Sequence, residues 1–256
     1  MSGGSPRLGR VVMVASSGGA QADGGGRRGA FVVFEGGDGA GKSTQVQLLV
    51  EALVDRGVPV LRTRQPGGTP LGNALRDLVL HGEAMSARAE ALLFAADKAQ
   101  HVADVIEPAL SAGTTVVCDR YVDSSVAYQG AGRGLGADEV ERVQDWAVGG
   151  LAPDLTVVVD VTPAEGRRRR GQVHDRLEAE GEDFHAAIRT HFLDRAAAHP
   201  TRYLVVDGTL DPQDIHARVL ERLERHGHVS RARSTTDRRR VEDPGHPVLD
   251  GGPGRR

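Results

Sequence analysis

The chain has 256 residues, of which 39% are hydrophobic and 26% are charged, values typical of a soluble domain with a single core. The formal net charge is −3 and the sequence pI is about 6.4, so no overall basic field points to a nucleic-acid partner. Cys118 has no second cysteine with which to form a disulfide, which favours a reducing cytoplasm. The apolar run at residues 11–15 is too short to span a bilayer or to form a secretory leader, and we expect no membrane partner.

The two ends of the chain differ in composition from the middle. Residues 1–30 are rich in glycine and contain no aromatic side chain, so they lack the apolar surface that folding requires. From residue 226 onward the chain is rich in Arg, Ser, Gly and Pro. The arginines at 238–240 could dock on an acidic partner, although the composition favours a solvated tail. We therefore predict a disordered extension at 1–30, one folded domain at 31–225 and a disordered tail at 226–256.

The first predicted element is a buried strand at residues 31–34, which leads into the sequence EGGDGAGKST. This sequence fits the Walker A pattern, and a helix with apolar residues at helical spacing follows it as far as Gly57. A chance match is the alternative in a chain with 34 glycines, but the flanking strand and helix favour a phosphate-binding loop. The residues predicted to surround the nucleotide are Gly36, Gly37, Asp38, Gly39, Ala40, Gly41, Lys42, Ser43 and Thr44.

Two side chains of this loop suit a nucleoside triphosphate. Lys42 would bridge the outer phosphates of ATP, and the Ser43 hydroxyl would bind Mg²⁺. Asp38, in contrast, places an acid among phosphate groups, and the loop pattern alone does not explain it.

Three further polar clusters follow the next predicted strands. TRQPGGT (63–69) follows strand 58–62. DRY (119–121) and SSVAYQG (124–130) follow strand 114–118. Arginines 167–170 and HDRLE (174–178) follow strand 155–161. Each cluster alone could be an ordinary surface or an ion pair. Together they place several cations and one acid near the loop, as phosphoryl transfer requires, and Asp119 could hold the water shell of Mg²⁺.

The last elements complete an alternating pattern. A helix is predicted to start at Thr162, a fifth strand covers 203–206, and a final helix begins at Asp211-Pro212. Strands separated by helices predict an α/β fold of the P-loop NTPase type, with a five-stranded parallel sheet between helical layers. In such sheets ligands bind beyond the carboxyl ends of the strands, where the polar clusters lie.

In the segments FEGGDGAGKSTQ, TRQPGGTPLG, LLFAADKAQH, VVCDRYVDSSVAYQGAGRGL, PDLTVVVDVTP and DRLE, the chain resembles the bacterial thymidylate kinase family. The segments occur in the family's order and cover residues 31–225. The resemblance implies transfer of the γ-phosphoryl group of ATP to dTMP with Mg²⁺, and a homodimer formed through helices that cover the sheet. It also implies a mobile lid over the site, between Gly166 and Glu178.

The resemblance also implies a role for Asp38, as an acid that lies near the sugar and phosphate of the acceptor and helps to order the site. Some family members have an arginine in the phosphate loop, whereas others have an acid there and catalytic arginines in the lid. This chain resembles the second kind, with arginines at 167–170 and 176. Arg176 is the best-matched lid position, and the implied catalytic set is Lys42, Asp38, Arg120, Arg168, Arg170 and Arg176. The sequence leaves open which of the arginines at 167–170 reaches the phosphates.

For the acceptor, the resemblance implies that Arg64 and Arg120 bind the phosphate of dTMP. It implies that Phe94 stacks on the base and that Lys98, one helical turn later, reaches a base carbonyl. The other implied contacts are Ser125 and Gln129 with the base, and Tyr128 with the sugar.

Two positions depart from the family pattern. Lys98 replaces the usual arginine and presents a flexible point charge where arginine presents a planar fork. Gln65 replaces the usual glutamate. These changes leave two alternatives open: a kinase for another or modified pyrimidine monophosphate, and a nucleotide-binding module without catalysis.

Overall fold

The computed structural model describes residues 28–172 and 175–227. Its centre is a parallel sheet of five strands: β1 (Phe31–Glu35), β2 (Val60–Arg64), β3 (Thr115–Asp119), β4 (Leu155–Asp160) and β5 (Tyr203–Asp207). The strand order is β2-β3-β1-β4-β5, and every neighbouring pair is parallel. The predicted fold class is confirmed. The disorder predicted for the two ends falls on segments almost wholly outside the described residues.

The helices alternate with the strands, as predicted. They are α1 (Lys42–Asp55), α2 (Pro70–His81), α3 (Ala87–His101), α4 (Glu107–Ser111), α5 (Val122–Ser125), α6 (Ala137–Ala147), α7 (Pro163–Arg170), α8 (Glu182–Ala198) and α9 (Pro212–Arg225). Two π-helical segments, Val102–Ile106 and Val126–Gly132, continue α3 and α5. Within the described part of the chain, no helix is long and apolar enough to cross a membrane.

The second strand begins later than the pattern predicts. The amide of Val58 donates to Leu53 O at 2.9 Å and so closes the C-terminal turn of α1. Pro59 has no N–H group, so regular pairing starts at Val60. The strand then runs to Arg64, and its later residues, which include an exposed Arg62, belong to the edge of the sheet. An edge strand needs less apolar sequence than a central one, which explains why the predicted boundary was two residues early.

Both faces of the sheet are covered. One set of strand residues packs against α1 and α9 through Leu49, Leu53, Val219 and Leu223. The alternate residues pack against α4, α5 and α6 and the π-helical segments. Because every strand runs in the same direction, all the carboxyl ends meet at one edge. That edge carries the side chains of the candidate site.

Candidate active site

A cavity of about 460 Å³ opens along the carboxyl edge of the sheet. It brings together most of the residues that the sequence predicts for a site. These are Asp38, Gly39, Gly41, Lys42, Ser43, Thr44, Arg64, Phe94, Lys98, Asp119, Arg120, Ser125, Tyr128 and Gln129. Residues of the phosphate loop and residues of the predicted acceptor site therefore share one space. Gly36, Gly37 and Ala40 belong to the same loop without lining the cavity.

The phosphate loop wraps around the ammonium group of Lys42. Its Nζ donates to Gly36 O at 3.1 Å and to Gly37 O at 2.7 Å. Burial and the nearby Arg120 lower the pKa of Lys42 to about 8, against the opposing pull of Asp38. Gly36 has a φ of 132°, and a Cβ there would lie 2.4 Å from Val159 O. The loop thus requires glycine at this position to pass close to β4.

Asp38 forms an ion pair at the centre of the site. Its carboxylate accepts hydrogen bonds from Arg120 and, at 2.6 Å, from the Tyr128 hydroxyl. Burial alone would raise the pKa of Asp38, but Arg120, Lys42 and the hydroxyl outweigh it and hold this pKa well below its usual range. The acid therefore orients the guanidinium of Arg120 and the ring of Tyr128 from within the phosphate loop.

Arg120 adopts an unusual backbone conformation. Its φ is 69°, a left-handed value that is rare for residues other than glycine. Its guanidinium also donates to Gly36 O at 3.1 Å and to Ser124 Oγ at 3.0 Å. Glu35 stabilises this turn, because its carboxyl group accepts hydrogen bonds from the amides of Tyr121 and Ser124 at 2.8 and 3.1 Å. Burial raises the pKa of Glu35 to about 7, and the charge of Asp123 adds to the effect.

Ser43 and Asp119 meet beside the phosphate loop. The Ser43 hydroxyl donates to Asp119 Oδ2 at 2.8 Å. A hydroxyl and a carboxylate are the hard oxygen ligands that Mg²⁺ prefers, so the two residues predicted to hold the metal fit that ion chemically.

The predicted base pocket lies further along the cavity. Lys98 is buried, donates to Ser125 Oγ at 2.7 Å and lies 5.4 Å from the centre of the Phe94 ring. Burial lowers the pKa of Lys98 to about 8. Phe94 supplies an apolar surface, while Lys98, Ser125 and Gln129 supply the polar groups of the pocket.

His101 and Gln65 form a buried contact behind this pocket. Gln65 Nε2 is 3.0 Å from His101 Nδ1, and Thr63 Oγ1 is 2.7 Å from His101 Nε2. Burial and the charge of Lys98 lower the pKa of His101 to about 4, so the ring is neutral near pH 7. A neutral imidazole nitrogen can accept from the Gln65 amide. A carboxylate at position 65 could not donate this hydrogen bond, which gives the departure at Gln65 a structural partner.

The neutral state of His101 predicts a pH-dependent stability. The folded-state pKa is below the ordinary value, so its contribution is complete above about pH 6.5 and is lost as the pH falls toward 4. The free energy of unfolding should therefore decrease by on the order of 2 to 3 kcal/mol through this group between pH 7.5 and 4.5. Denaturant unfolding of the wild type and of His101→Gln at both pH values measures the difference.

Burial raises the pKa values of Glu35 and Asp97, so these two groups should increase the free energy of unfolding as the pH falls. Because this trend is the same in the wild type and in His101→Gln, it cancels when the two proteins are compared. His81→Gln, at an exposed histidine at the end of α2, is the matched control. An equal pH slope for the wild type and His101→Gln would contradict a buried neutral imidazole.

The predicted lid arginines divide into two groups. Arg170 lies at the loop, since its Cγ would be 3.1 Å from a Cβ on Gly39, and its charge contributes to the low pKa of Asp38. Arg168 is 73% exposed and pairs with Glu165. Arg176 pairs with Glu90 at 2.5 Å and donates to Val79 O at 2.9 Å. The structure brings Arg170 to the phosphate loop but holds Arg168 and Arg176 elsewhere, and the catalytic roles of all three remain predictions.

Comparison with known proteins agrees with this geometry. The sequence profile of the family described as thymidylate kinase matches residues 34–219. The chain belongs to the thymidylate kinase family. It is similar to the thymidylate kinase of Cutibacterium acnes, with 54% identity over 197 residues, covering 76% of this chain and 96% of that protein. The corresponding protein of Leifsonia xyli subsp. xyli is 51% identical over 202 residues, with coverages of 77% and 96%. That of a Synechococcus strain is 48% identical over 189 residues, with coverages of 74% and 91%.

Two residues that shape this thymidylate kinase-family site, Arg76 and Glu35, were not predicted from the sequence. Arg76 lines the cavity and donates to Pro66 O at 3.0 Å. Burial lowers the pKa of Arg76, and the nearby Arg64 and Arg120 lower it further. Three converging guanidinium groups indicate a place for an anion. Glu35 could have been recognised as an acid directly after four apolar strand residues, whereas no sequence signal distinguishes Arg76 from a surface residue of α2.

Proposed function

We propose that the chain transfers the γ-phosphoryl group of ATP to dTMP, giving dTDP and ADP, in the supply of dTTP. The observation that carries the proposal is that one cavity joins a Walker loop around Lys42 to a cluster of three arginines and a base pocket. The family membership supports the same activity. A cytoplasmic location fits a reaction that consumes ATP and a chain whose cysteine, Cys118, is buried and free.

In this proposal the phosphoryl donor and acceptor are positioned by different residues. When ATP binds, Lys42 exchanges its hydrogen bonds to the carbonyl groups of Gly36 and Gly37 for contacts with the outer phosphates. Arg64, Arg76 and Arg120 bind the acceptor phosphate. Since a nucleotide phosphate is largely dianionic at neutral pH, its oxygen can attack without a general base. The protein contributes alignment and charge stabilisation.

Asp38 keeps the acceptor side rigid. Its carboxylate accepts hydrogen bonds from the guanidinium of Arg120 and from the hydroxyl of Tyr128, and so holds both side chains in place. The Tyr128 ring would lie beneath the predicted sugar position. Ser43 and Asp119 would hold Mg²⁺, which when bound neutralises charge on the phosphates of ATP. Arg169 and Arg170 of α7 approach the same end of the cavity, Arg169 by lining it and Arg170 by lying at Gly39.

The activity is tested by product identification. Purified protein is incubated with ATP, dTMP and Mg²⁺, and the nucleotides are separated by ion-exchange chromatography. Equal amounts of dTDP and ADP are expected. ADP without dTDP would indicate hydrolysis and would contradict the proposed transfer.

Lys98 provides a test of the base pocket. Lys98→Arg should keep or raise kcat/KM for dTMP, because a guanidinium at this position still donates to a base carbonyl. Lys98→Ala should lower it about ten- to a hundredfold, the effect of losing one charge-assisted hydrogen bond of roughly 1.5 to 3 kcal/mol. The test is to measure kcat/KM for dTMP in both variants by steady-state kinetics. Loss of activity in Lys98→Arg, together with a preference for another pyrimidine monophosphate, would show that the pocket accepts a different base.

A homodimer is the proposed oligomeric state. Trp146 of α6 is 84% exposed and Leu92 of α3 is 59% exposed, although these two helices pack against each other over the sheet. Large apolar side chains exposed on neighbouring helices fit an interface between copies. Size-exclusion chromatography with light scattering should give twice the chain mass for the wild type and a lower mass for Trp146→Glu. A monomeric wild type would contradict the proposal.

A further inference from the structure

Glu90 is a buried acid that lies behind the base pocket and does not line the cavity. It belongs to α3, and its side chain is 1% exposed. Its Oε1 accepts from Gln129 Nε2 at 2.9 Å and from Arg133 Nε at 3.3 Å. Its Oε2 accepts from Arg133 at 3.4 Å and from Arg176 at 2.5 Å. One carboxylate therefore contacts both a residue of the cavity wall and the arginine of the predicted lid.

The contact between Glu90 and Gln129 determines which way the amide points. An ionised carboxylate accepts hydrogen bonds and donates none, so only the NH₂ group of Gln129 can face it. Gln129 lines the cavity, and Oε1 is the polar atom that remains for a ligand. Gln129 therefore presents an acceptor to the pocket.

The neighbouring polar groups are donors. Lys98 donates to Ser125 Oγ at 2.7 Å and to Phe94 O at 3.4 Å, which leaves one of its three ammonium hydrogens, and the group has no acceptor capacity. Ser125, having accepted this bond, keeps its own hydroxyl hydrogen for another partner. Gln129, Lys98 and Ser125 thus offer one acceptor and two donors. A pyrimidine with a ring N–H between two carbonyl oxygens matches this pattern, whereas cytosine presents an unprotonated ring nitrogen and an amino group.

We propose that Glu90 is a positioning residue that sets the choice of pyrimidine, by holding the amide of Gln129 with its oxygen toward the base. The proposal rests on the proposed dTMP kinase activity and deepens it. Glu90 acts through Gln129 and touches no reacting group. Its two arginine partners balance its charge in the buried position.

Glu90→Gln tests this role. Arginines only donate, so the new amide should turn its oxygen to Arg133 and Arg176 and its NH₂ group toward Gln129. Gln129 would then reverse and present NH₂ to the base. We expect the ratio of kcat/KM for dTMP to kcat/KM for dCMP to fall about ten- to a hundredfold, since one favourable contact becomes a mismatch between two donors.

Glu180→Gln is the matched control. Glu180 pairs with Arg133 from the other side and has no contact with Gln129, so the same chemical change should leave the ratio as in the wild type. Glu90→Asp retains an acceptor-only group and should keep the preference for dTMP even at lower turnover. If Glu90→Gln fails to fold, the double variant Glu90→Gln/Arg133→Met is assayed instead. It also removes the guanidinium of Arg133, which has lost the charge of Glu90 as a partner.

The outcomes separate the two proposals. A wild type without dTMP kinase activity would overturn the proposed function itself. An active wild type whose dTMP/dCMP ratio is unchanged in the folded Glu90→Gln variant would overturn the role of Glu90 alone. A ratio that falls equally in Glu180→Gln would assign the effect to the arginine network, and it would also overturn the inference.

Discussion

Replacing Lys42 with alanine is expected to lower kcat by about a thousandfold or more while the fold stays intact. The ammonium group is the charge that the Walker loop presents to the transferred phosphoryl group, and electrostatic stabilisation of this kind is worth factors of a hundred to a hundred thousand. Lys42 donates to two loop carbonyl groups, at 3.1 and 2.7 Å. Asp38, the acid with the largest electrostatic effect on Lys42, keeps its ion pair with Arg120 when the ammonium group is removed.

The measurement is turnover of dTMP with ATP, together with circular dichroism and thermal unfolding of the variant. Arg225→Ala, which removes an exposed cation of α9, is the control and should retain wild-type turnover. A folded Lys42→Ala enzyme with near-wild-type turnover would contradict the assignment of the Walker loop.

Arg120→Met is expected to affect activity and stability together. The guanidinium contacts Asp38, Gly36 O, Ser124 and Tyr128. Its loss removes an anion-binding group from the acceptor site, and kcat/KM for dTMP should fall at least about a hundredfold. It also leaves the partly buried carboxylate of Asp38 without its main partner, which should lower the free energy of unfolding by about 3 kcal/mol.

The double variant Arg120→Met/Asp38→Asn separates the two effects. Neutralising Asp38 should restore a large part of the stability, because the uncompensated charge is gone, but should not restore kcat/KM. Denaturant unfolding and steady-state kinetics of the wild type, both single variants and the double variant complete the cycle. Full activity in Arg120→Met, with reduced stability, would show that the residue only supports the fold.

The sheet and the phosphate loop could be predicted from the sequence because their signals are local. Apolar strand runs, the spacing from Gly36 to Ser43 and the helix after it all lie within short segments. The cap at Thr162, which accepts from Glu165 N at 3.2 Å, is equally local. The carboxyl ends of parallel strands then bring Arg64 and Asp119 to the same edge.

The orientation of α7, which carries the arginines at 167–170, could not be predicted from the sequence because it depends on packing against the phosphate loop. Gly166 of α7 packs against the phosphate loop, since a Cβ there would lie 2.4 Å from Asp38 O. Residues three and four positions later share that face of a helix, which directs Arg169 and Arg170 toward the site and turns Arg168 to solvent. The run of four arginines alone cannot show this, because any of its faces could be the packed one.

The contacts of Glu90 were beyond sequence reasoning for a different reason. Its partners Gln129, Arg133 and Arg176 lie 39 or more residues away along the chain and on different elements. An acid at the start of a helix is ordinarily read as a solvated first-turn residue that favours the helix dipole. Only tertiary packing shows that this carboxylate is buried and faces an amide of the cavity.

In the sequence, Gln65 and Lys98 depart from the family pattern, so the identity of the nucleotide that accepts the phosphoryl group was left undecided. In the structure, Gln65 donates to the neutral His101 and Lys98 donates to Ser125. Both residues that depart from the family pattern therefore have hydrogen-bond partners in or beside the base pocket. Identities of about half to thymidylate kinases over most of the chain do not favour a different acceptor.

A competition assay measures which nucleoside monophosphate the protein phosphorylates. The protein is incubated with ATP, Mg²⁺ and an equimolar mixture of dTMP, dUMP, dCMP, UMP, dAMP and dGMP, and the diphosphates formed are quantified by chromatography. We expect dTDP to form fastest and dCDP to form much more slowly, and we expect no diphosphate above background with Lys42→Ala. Faster formation of another diphosphate, or no diphosphate from any acceptor with the wild-type protein, would contradict the proposed dTMP kinase activity.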